Sequence, residues 1–151
     1  MAARSIVLEQ TDLSDLSEHT GYHIRRAHTY FTRVFSVYGK RFNLRSQQAT
    51  ILALTDKNPG IAPTCIADAN DIKRSLVAKL VSDLETRGLI TTRSSKTDRR
   101  RKGLHITAKG RAFLRRVMET FATELDPLLT RNLTNGEKTT LIKLLTKIYQ
   151  D

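Results

Sequence analysis

The sequence predicts a mainly α-helical protein that contains one short β-hairpin. Apolar residues recur at three-and-four spacing through most of the chain, which is typical of amphipathic helices. β-prone residues cluster only between residues 89 and 106. At 151 residues and 39% hydrophobic content, the chain is long enough to bury one core. We therefore expect a single domain over residues 1–151.

A long first helix is predicted by the apolar and large residues between Leu13 and Tyr38. It should begin near Ser14 or Ser17, since serine is a favourable N-cap. We expect it to end at Gly39, because glycine is common just beyond helix C-termini.

Three shorter helices should follow. Ser46 is a plausible N-cap for one that stops before Asn58. Pro63 opens a second that runs through Ala69, and Asn70-Asp71 makes a turn. A third runs from about Lys73 to Arg87 and should end at Gly88. Its inward-facing residues are predicted to be Leu76, Val77, Leu80, Val81 and Leu84.

A two-stranded hairpin is predicted after Gly88. Residues 89–93 and 104–106 are β-prone, and the stretch between them is polar and basic. Gly103 is expected to turn the hairpin tip back into the second strand. Thr107 should then cap the next helix.

Two helices complete the chain. The first, after Thr107, should bend near Pro127. Thr134 and Glu137 have capping-box spacing and should open the last helix. The apolar stripe of that helix comprises Leu141, Leu144, Leu145 and Ile148.

The positive charge is concentrated in the middle of the chain. The net charge is +11, and residues 71–116 hold 14 Lys/Arg against 4 Asp/Glu. Such a patch suits a polyanion, because each phosphate it neutralises releases counterions. A merely solvated surface is the alternative.

Other classes of protein find little support. A single cysteine gives no disulfide framework and no Cys-rich zinc site. We find no Ser/His/Asp or Cys/His arrangement, no glycine-rich phosphate loop and no carboxylate pair in a recognisable context, so neither catalysis nor a cofactor is predicted. No apolar run is long enough to span a bilayer and the N-terminus does not resemble a signal peptide, so we expect a cytoplasmic protein.

Two helices joined by a tight turn and followed by a basic hairpin form a winged helix-turn-helix, which suits duplex DNA. A helix fits the major groove, and a hairpin tip can reach the neighbouring minor groove. The candidate DNA-binding residues are Lys73, Arg74, Ser75, Ala78, Lys79, Arg93, Lys96, Asp98, Arg99, Arg100, Arg101, Lys102, Ser46 and Gln47. For Ser46, Gln47 and Gln48, helix capping is the alternative. For Lys109, Arg111, Arg115 and Arg116, DNA flanking and a solvated helix face remain equally open.

Residues 80–114 resemble the MarR family of bacterial transcriptional regulators. The matching motifs are Leu84-Glu85, Gly88-Leu89-Ile90, Asp98-x-Arg100 and Ile106-Thr107-x-x-Gly110. Lys73-Arg74 departs from the family, which more often has an acid or serine there. The resemblance implies a repressor that binds a palindromic operator as a homodimer and is released by a small ligand.

That resemblance also assigns parts of the chain. Residues 13–40 and 111–151 would be dimerisation helices, and residues 44–110 the winged helix-turn-helix. Arg100 occupies the family's minor-groove position, whereas Arg99, Arg101 and Lys102 would touch phosphate or water. Because Asp98 is the single acid in this basic stretch, we expect it to shape the wing by pairing with Arg100 or a neighbouring arginine, with DNA contact as the alternative. A sequence-tolerant architectural DNA binder is the alternative function.

A small effector is expected near the first helix. An arginine and histidines among aromatic rings would suit an aromatic acid or its coenzyme A thioester. The candidates are His19, Tyr22, His23, Arg26, Tyr30 and Phe31. The alternative is that the rings are core or interface residues and that Arg25 and Arg26 are solvated.

Two sensing alternatives remain. His19 and His23, four residues apart, could hold a metal with Glu18 in a metal-responsive regulator of the same fold, but no metal site is predicted. Cys65 is expected to be buried, because it lies among Ile61, Ile66 and Ala67. The resemblance does not favour peroxide sensing, since family members that sense peroxide typically use a cysteine in the first long helix, where none occurs.

Overall fold

The computed structural model describes residues 13–94 and 102–150. The chain divides into two compact units, Met1–Val34 and Phe35–Asp151. The boundary falls within the long helix Thr20–Phe42. Within the described ranges, no helix is both long and apolar enough to cross a membrane.

The first unit contains a break that the sequence pattern did not predict. Helix α1 spans Ser14–Ser17, and α2 begins only at Thr20. The Ser17 hydroxyl donates to the Ser14 carbonyl at 2.9 Å, and the His23 ring donates to the Ser17 carbonyl at 2.8 Å. Both carbonyls would accept backbone N–H groups in a continuous helix, so these side chains compete with it. The prediction of one unbroken helix from Ser14 or Ser17 was wrong.

Helix α2 (Thr20–Phe42) continues past Gly39, so the predicted end at Gly39 was also wrong. Asn43, at φ 47°, terminates the helix in the left-handed conformation. The Leu44 N–H then donates to the Gly39 carbonyl at 2.8 Å, as in a Schellman motif. Gly39 is needed for space: a Cβ there would overlap the Leu44 carbonyl oxygen and lie 2.9 Å from Cε1 of Phe35.

The second unit holds the helix-turn-helix and the hairpin that the sequence predicted. Its elements are α3 (Ser46–Lys57), α4 (Pro63–Ala69), α5 (Arg74–Thr86), β1 (Ile90–Ser94), β2 (Lys102–Ile106), α6 (Ala108–Thr120), a π-helical turn (Phe121–Leu125), α7 (Asp126–Leu129) and α8 (Asn135–Tyr149). The two strands pair antiparallel, with Thr92 opposite Leu104.

The start of α3 differs from the prediction, since Arg45 is the N-cap and Ser46 the first helical residue. The backbone N–H of Arg45 donates to the side-chain oxygen of Gln48 at 3.0 Å. Gln48 is buried, so its amide is held in place to make this bond, and Ser46 is not required as the cap.

The core of the second unit joins the helix-turn-helix to β2 and α6. Its most completely buried apolar side chains are Ile51, Leu52, Ile66, Val77, Leu80, Leu84, Leu104 and Val117. Four of the five inward positions predicted for α5 are buried, but Leu76 is 36% exposed. Leu76 lies at the edge of the buried face of α5, which is formed by Val77, Leu80, Val81 and Leu84.

The C-terminal helices carry one irregularity and one exposed stripe. The helix that was predicted to bend near Pro127 contains a π-helical turn just before that residue, where proline has no N–H to continue the regular ladder. Thr134 caps α8 together with Glu137, as predicted. The four stripe residues of α8 are 38–56% exposed in the single chain.

Candidate nucleic-acid interface

A four-residue connection joins α4 to α5. Asp71 takes a positive φ of 49°, and the Asn70 side-chain amide donates to the Ile66 carbonyl at 2.8 Å. The Ile72 N–H donates to the Ala67 carbonyl at 3.0 Å. These bonds satisfy backbone carbonyls of α4 and hold the tight connection to α5.

Helix α5 has a buried face and an exposed face. Val77, Leu80, Val81 and Leu84 face the core, and the opposite side is polar. The predicted contacts Lys73, Arg74, Ser75, Ala78 and Lys79 are all exposed. Lys73 is the N-cap, and Arg74 lies 3.7 Å from Asp68. The beginning of α5 therefore presents cations and a hydroxyl beside free helix N–H groups, which favours anion binding.

The hairpin, here called the wing, is fixed to the end of α5 by Glu85. One carboxylate oxygen of Glu85 accepts from the backbone N–H of Thr92 at 2.8 Å and from its hydroxyl at 2.6 Å. This pair explains the glutamate in the Leu84-Glu85 motif: it holds β1 against the helix.

The wing is also anchored on the turn after α3. The Gly60 N–H donates to the Leu104 carbonyl at 2.8 Å, and the Leu104 N–H donates to the Ile61 carbonyl at 2.9 Å. A Cβ on Gly103 would lie 2.5 Å from the Gly60 carbonyl oxygen. The predicted role of Gly103 as a tip turn was wrong, since it lies within β2 opposite Arg93. It is glycine because two backbones approach closely there.

The wing cations fall into two groups. Arg93 and Lys102 are exposed near the ends of the strands that lead to the tip. The predicted contacts Lys96, Asp98, Arg99, Arg100 and Arg101 lie outside the described residues.

The Thr-x-x-Gly motif joins the wing to α6. The Thr107 hydroxyl donates to the Gly88 carbonyl at 2.8 Å and accepts from the Gly110 N–H at 2.9 Å. A Cβ on Gly110 would overlap the Leu89 carbonyl oxygen. Gly88 takes a positive φ of 68°. Thr107 and Gly110 therefore meet Gly88, from the Gly88-Leu89-Ile90 motif, at one junction. Thr107 is the N-cap of α6, as predicted.

The other predicted contacts differ in how accessible they are. Gln47 is exposed and Ser46 half-buried at the start of α3, with the Ser46 hydroxyl 3.3 Å from the Gln47 side-chain oxygen. The Lys109 ammonium donates to the Arg87 carbonyl at 2.8 Å. Arg111 forms an ion pair of 2.8 Å with Asp56. Lys109 and Arg111 therefore have structural partners already.

The candidate effector residues lie in the first unit. His19, His23 and Arg26 are exposed, whereas Tyr22, Tyr30 and Phe31 are half-buried. The structure brings some of them together: the rings of Tyr22 and His23 meet edge-on at 5.5 Å. No cluster of three metal-ligating side chains occurs in the described part of the chain.

Sequence reasoning did not identify a groove between α3 and α6 in the second unit. It has a volume of about 240 Å³. Its cationic lining comes from Lys57, Arg111 and Arg115, with Asp56 beside them. The remaining lining residues are Ala53, Leu114 and Met118. Cations beside an apolar floor suit an amphipathic anion. The spacing of Arg111 and Arg115 was visible in the sequence, but their meeting with α3 was not.

Cys65 is exposed, so its predicted burial was wrong. It lies on α4 immediately before Ile66 and Ala67, which take the inward positions. The short helix has room for only this one buried face.

Comparison with known proteins agrees with the architecture. The sequence profile of the MarR family matches residues 42–101. A putative transcriptional regulatory protein for the hcr operon of Thauera aromatica is 33% identical over 135 residues, which cover 86% of this chain and 78% of that protein.

Solved structures of the transcriptional repressor CouR are similar along nearly the whole chain. CouR bound to a 23-mer DNA duplex is 33% identical, with a TM-score of 0.88 over 93% of this chain and 99% of that one. CouR bound to p-coumaroyl-CoA is 30% identical, with a TM-score of 0.82 over 94% and 99%. This chain therefore belongs to the MarR family of winged-helix transcriptional regulators.

Proposed function

We propose that this chain is a ligand-responsive transcriptional repressor that binds a palindromic operator as a homodimer. The observation that carries the proposal is the exposed cationic start of α5 beside a wing anchored by Glu85 and Gly103. Similarity to a repressor whose structure contains a DNA duplex supports the same function.

In this proposal α5 enters the major groove. Ser75, Ala78 and Lys79 are exposed on one side of the helix, where they would face base edges and the nearby backbone. Lys73 and Arg74 would hold phosphates together with the N–H groups of the first turn. Ser46 and Gln47 would add backbone contacts from α3.

The wing would follow the DNA to the next minor groove. Arg93 and Lys102 lead toward the tip, and Arg100 would enter the groove, where narrow width strengthens the negative potential. Lys96, Arg99 and Arg101 would hold phosphates. Asp98 would shape the tip by pairing with an arginine.

Dimerisation would use the exposed apolar stripe on α8. Leu144 is 52% exposed and Ile148 56% exposed in the single chain, and contiguous exposed apolar residues are typical of interfaces. Residues 13–40 and 111–151 would supply the dimerisation helices of one domain spanning the whole chain.

The effector is proposed to be an aromatic acid or its coenzyme A thioester, because a similar repressor binds p-coumaroyl-CoA. Two sets of side chains are suited to such an anion. One is the first-unit set of His19, Tyr22, His23, Arg26, Tyr30 and Phe31. The other is the groove between α3 and α6, where Arg115 and Lys57 would attract the carboxylate or the phosphates.

The DNA-binding part is tested by selection from a random duplex library. The wild-type chain should enrich a two-fold-symmetric site that outcompetes random DNA by about a thousandfold or more. An architectural DNA binder would enrich no common sequence. Arg100→Ala should weaken binding to the selected site while leaving the fold intact. An unchanged midpoint of the DNA-binding titration would argue against the proposed contact of Arg100 with the minor groove.

The effector part is tested by calorimetry with p-coumarate, p-coumaroyl-CoA and coenzyme A alone. Arg115→Gln should weaken binding if the groove holds the anion, and Arg26→Gln should do so if the first unit holds it. No heat with this panel, together with release from DNA by an unrelated compound, would refute the proposed effector class. A parallel zinc titration of DNA release tests the metal-responsive alternative.

We also propose that the chain acts without catalysis and in the cytoplasm. Membership of a family of DNA-binding regulators supports both points. Turnover of a thioester effector during DNA release would contradict the first point.

A further inference from the structure

Arg87, the residue that follows α5, connects the end of this helix to the end of α2. Its guanidinium donates from Nη1 to the Asn43 carbonyl at 2.7 Å and from Nη2 to the Phe42 carbonyl at 3.0 Å. Carbonyls at a helix C-terminus lack intrahelical partners and carry partial negative charge. A guanidinium satisfies two of them at once with charge-assisted bonds.

The same guanidinium also contacts α6. It lies 5.1 Å above the centre of the Phe113 ring, and Phe113 meets Phe42 edge-on at 6.0 Å. The Arg87 carbonyl accepts from Lys109, also on α6. We call Arg87 with its partners Phe42, Asn43 and Phe113 the Arg87 clamp. It joins three helices at the point where the candidate recognition helix ends.

The hydrophobic effect that drives apolar packing is non-directional, so on its own it does not single out one direction for a helix. The paired bonds of Arg87 are directional and fix α5 against the end of α2, while the ring contact fixes it against α6. A dimeric regulator depends on that direction, because the separation of its two recognition helices must match the half-site spacing.

We propose that Arg87 is a positioning residue for operator recognition, which sets the direction of α5 without contacting DNA. This inference rests on the proposed function. It predicts that loss of Arg87 impairs binding to a correctly spaced site more than it impairs binding to DNA in general. The part of the DNA-binding affinity that comes from phosphate contacts should remain unchanged.

The test compares Arg87→Gln with Arg131→Gln, which removes the same charge from the segment between α7 and α8. Affinity is measured by fluorescence anisotropy for three duplexes: the selected site, the same site with one base pair inserted between its half-sites, and a scrambled sequence. Arg87→Gln should bind the selected site about tenfold more weakly. A tenfold change equals about 1.4 kcal/mol, which is no more than one of the two charge-assisted bonds of Arg87 is expected to contribute. Its affinity for the scrambled duplex should stay within about twofold of wild type, because phosphate contacts supply the non-specific affinity and Arg87 is proposed to make none.

The preference for correct spacing should also shrink in Arg87→Gln and stay intact in Arg131→Gln. Arg87→Lys should behave like Arg87→Gln, since an ammonium cannot reproduce the paired bonds or the ring stacking. Equal losses on selected and scrambled duplexes would make Arg87 a phosphate contact and overturn the proposal. Arg87→Gln could instead lower the melting temperature while leaving unchanged the ratio of affinities for the selected and scrambled duplexes. Arg87 would then only stabilise the fold, and the proposal would also be overturned.

A second variant keeps the test open if Arg87→Gln does not fold. Phe113→Leu keeps the arginine but removes its ring partner. It should therefore lower the ratio of affinities for the selected and scrambled duplexes, by a smaller factor than Arg87→Gln does. An unchanged ratio in a folded Phe113→Leu would contradict the clamp. A wild-type chain that selects no site would instead refute the proposed function, and with it this use of the clamp.

Discussion

Gly110→Ala should destabilise the protein even though alanine favours helices. Gly110 lies in the first turn of α6, and its new methyl group would overlap the Leu89 carbonyl oxygen and lie 2.8 Å from the carbonyl carbon. Relief requires moving the Leu89 carbonyl, which accepts from the Thr107 N–H at 3.0 Å.

The expected magnitude follows from three contributions. Overpacking costs about 1–3 kcal/mol, and the strained hydrogen bond costs about 1 kcal/mol more. Alanine returns up to about 1 kcal/mol through helix propensity. We therefore expect a net loss of about 2 kcal/mol.

Gly136→Ala is the matched control, because Gly136 lies in the first turn of α8 and a Cβ added there would meet nothing within 4 Å. It should be neutral or slightly stabilising. Urea unfolding followed by circular dichroism, at one protein concentration for all variants, measures both changes. If Gly110→Ala were as stable as Gly136→Ala, the described packing at the junction between wing and α6 would be wrong.

Four further perturbations test three other parts of the structure. Lys79→Ala should weaken DNA binding and reduce the slope of log K against log salt by about one, if its ammonium neutralises a phosphate; an unchanged slope in anisotropy titrations would exclude that contact. Leu144→Asp should convert a dimer to a monomer in sedimentation, because it buries a charge in the α8 stripe, as should truncation after Leu129; a monomeric wild type would contradict the interface. Two hydrogen bonds from Thr134 lower the pKa of Glu137, chiefly the bond from the backbone N–H and secondly the bond from the hydroxyl. The stabilising effect of ionised Glu137 is therefore fully present above the unfolded-state pKa of about 4.3. It is lost as the pH falls through the lower folded-state pKa. Glu137→Gln should remove that part of the acid dependence of unfolding, and identical pH profiles would refute the capping box.

The features predicted correctly from the sequence are those with local signals. The capping box at Thr134 and Glu137 spans four residues, and Pro63 sets the start of α4 through its own geometry. Gly88 ends α5 because the conformation there has a positive φ. The exposed polar side of α5 followed from helical spacing alone.

The features that the sequence did not reveal depend on distant partners. Gly39 is typical of a helix end, but its role is set by the Leu44 carbonyl and the Phe35 ring. Gly103 is typical of a turn, yet the backbone of Gly60 makes glycine necessary there. The two hydrogen bonds of the Arg87 guanidinium and the bond from Arg111 to Asp56 beside the groove join residues 44 to 55 positions apart. No periodicity or capping rule detects pairs of that separation.

The anchored wing and α5 together are proposed to recognise a specific DNA sequence. Equilibrium anisotropy with the selected duplex and a scrambled duplex of equal length, at one physiological salt concentration, tests this central claim most directly. We expect the selected duplex to bind about a thousandfold or more tightly than the scrambled one. Equal affinities for the two duplexes would contradict the claim.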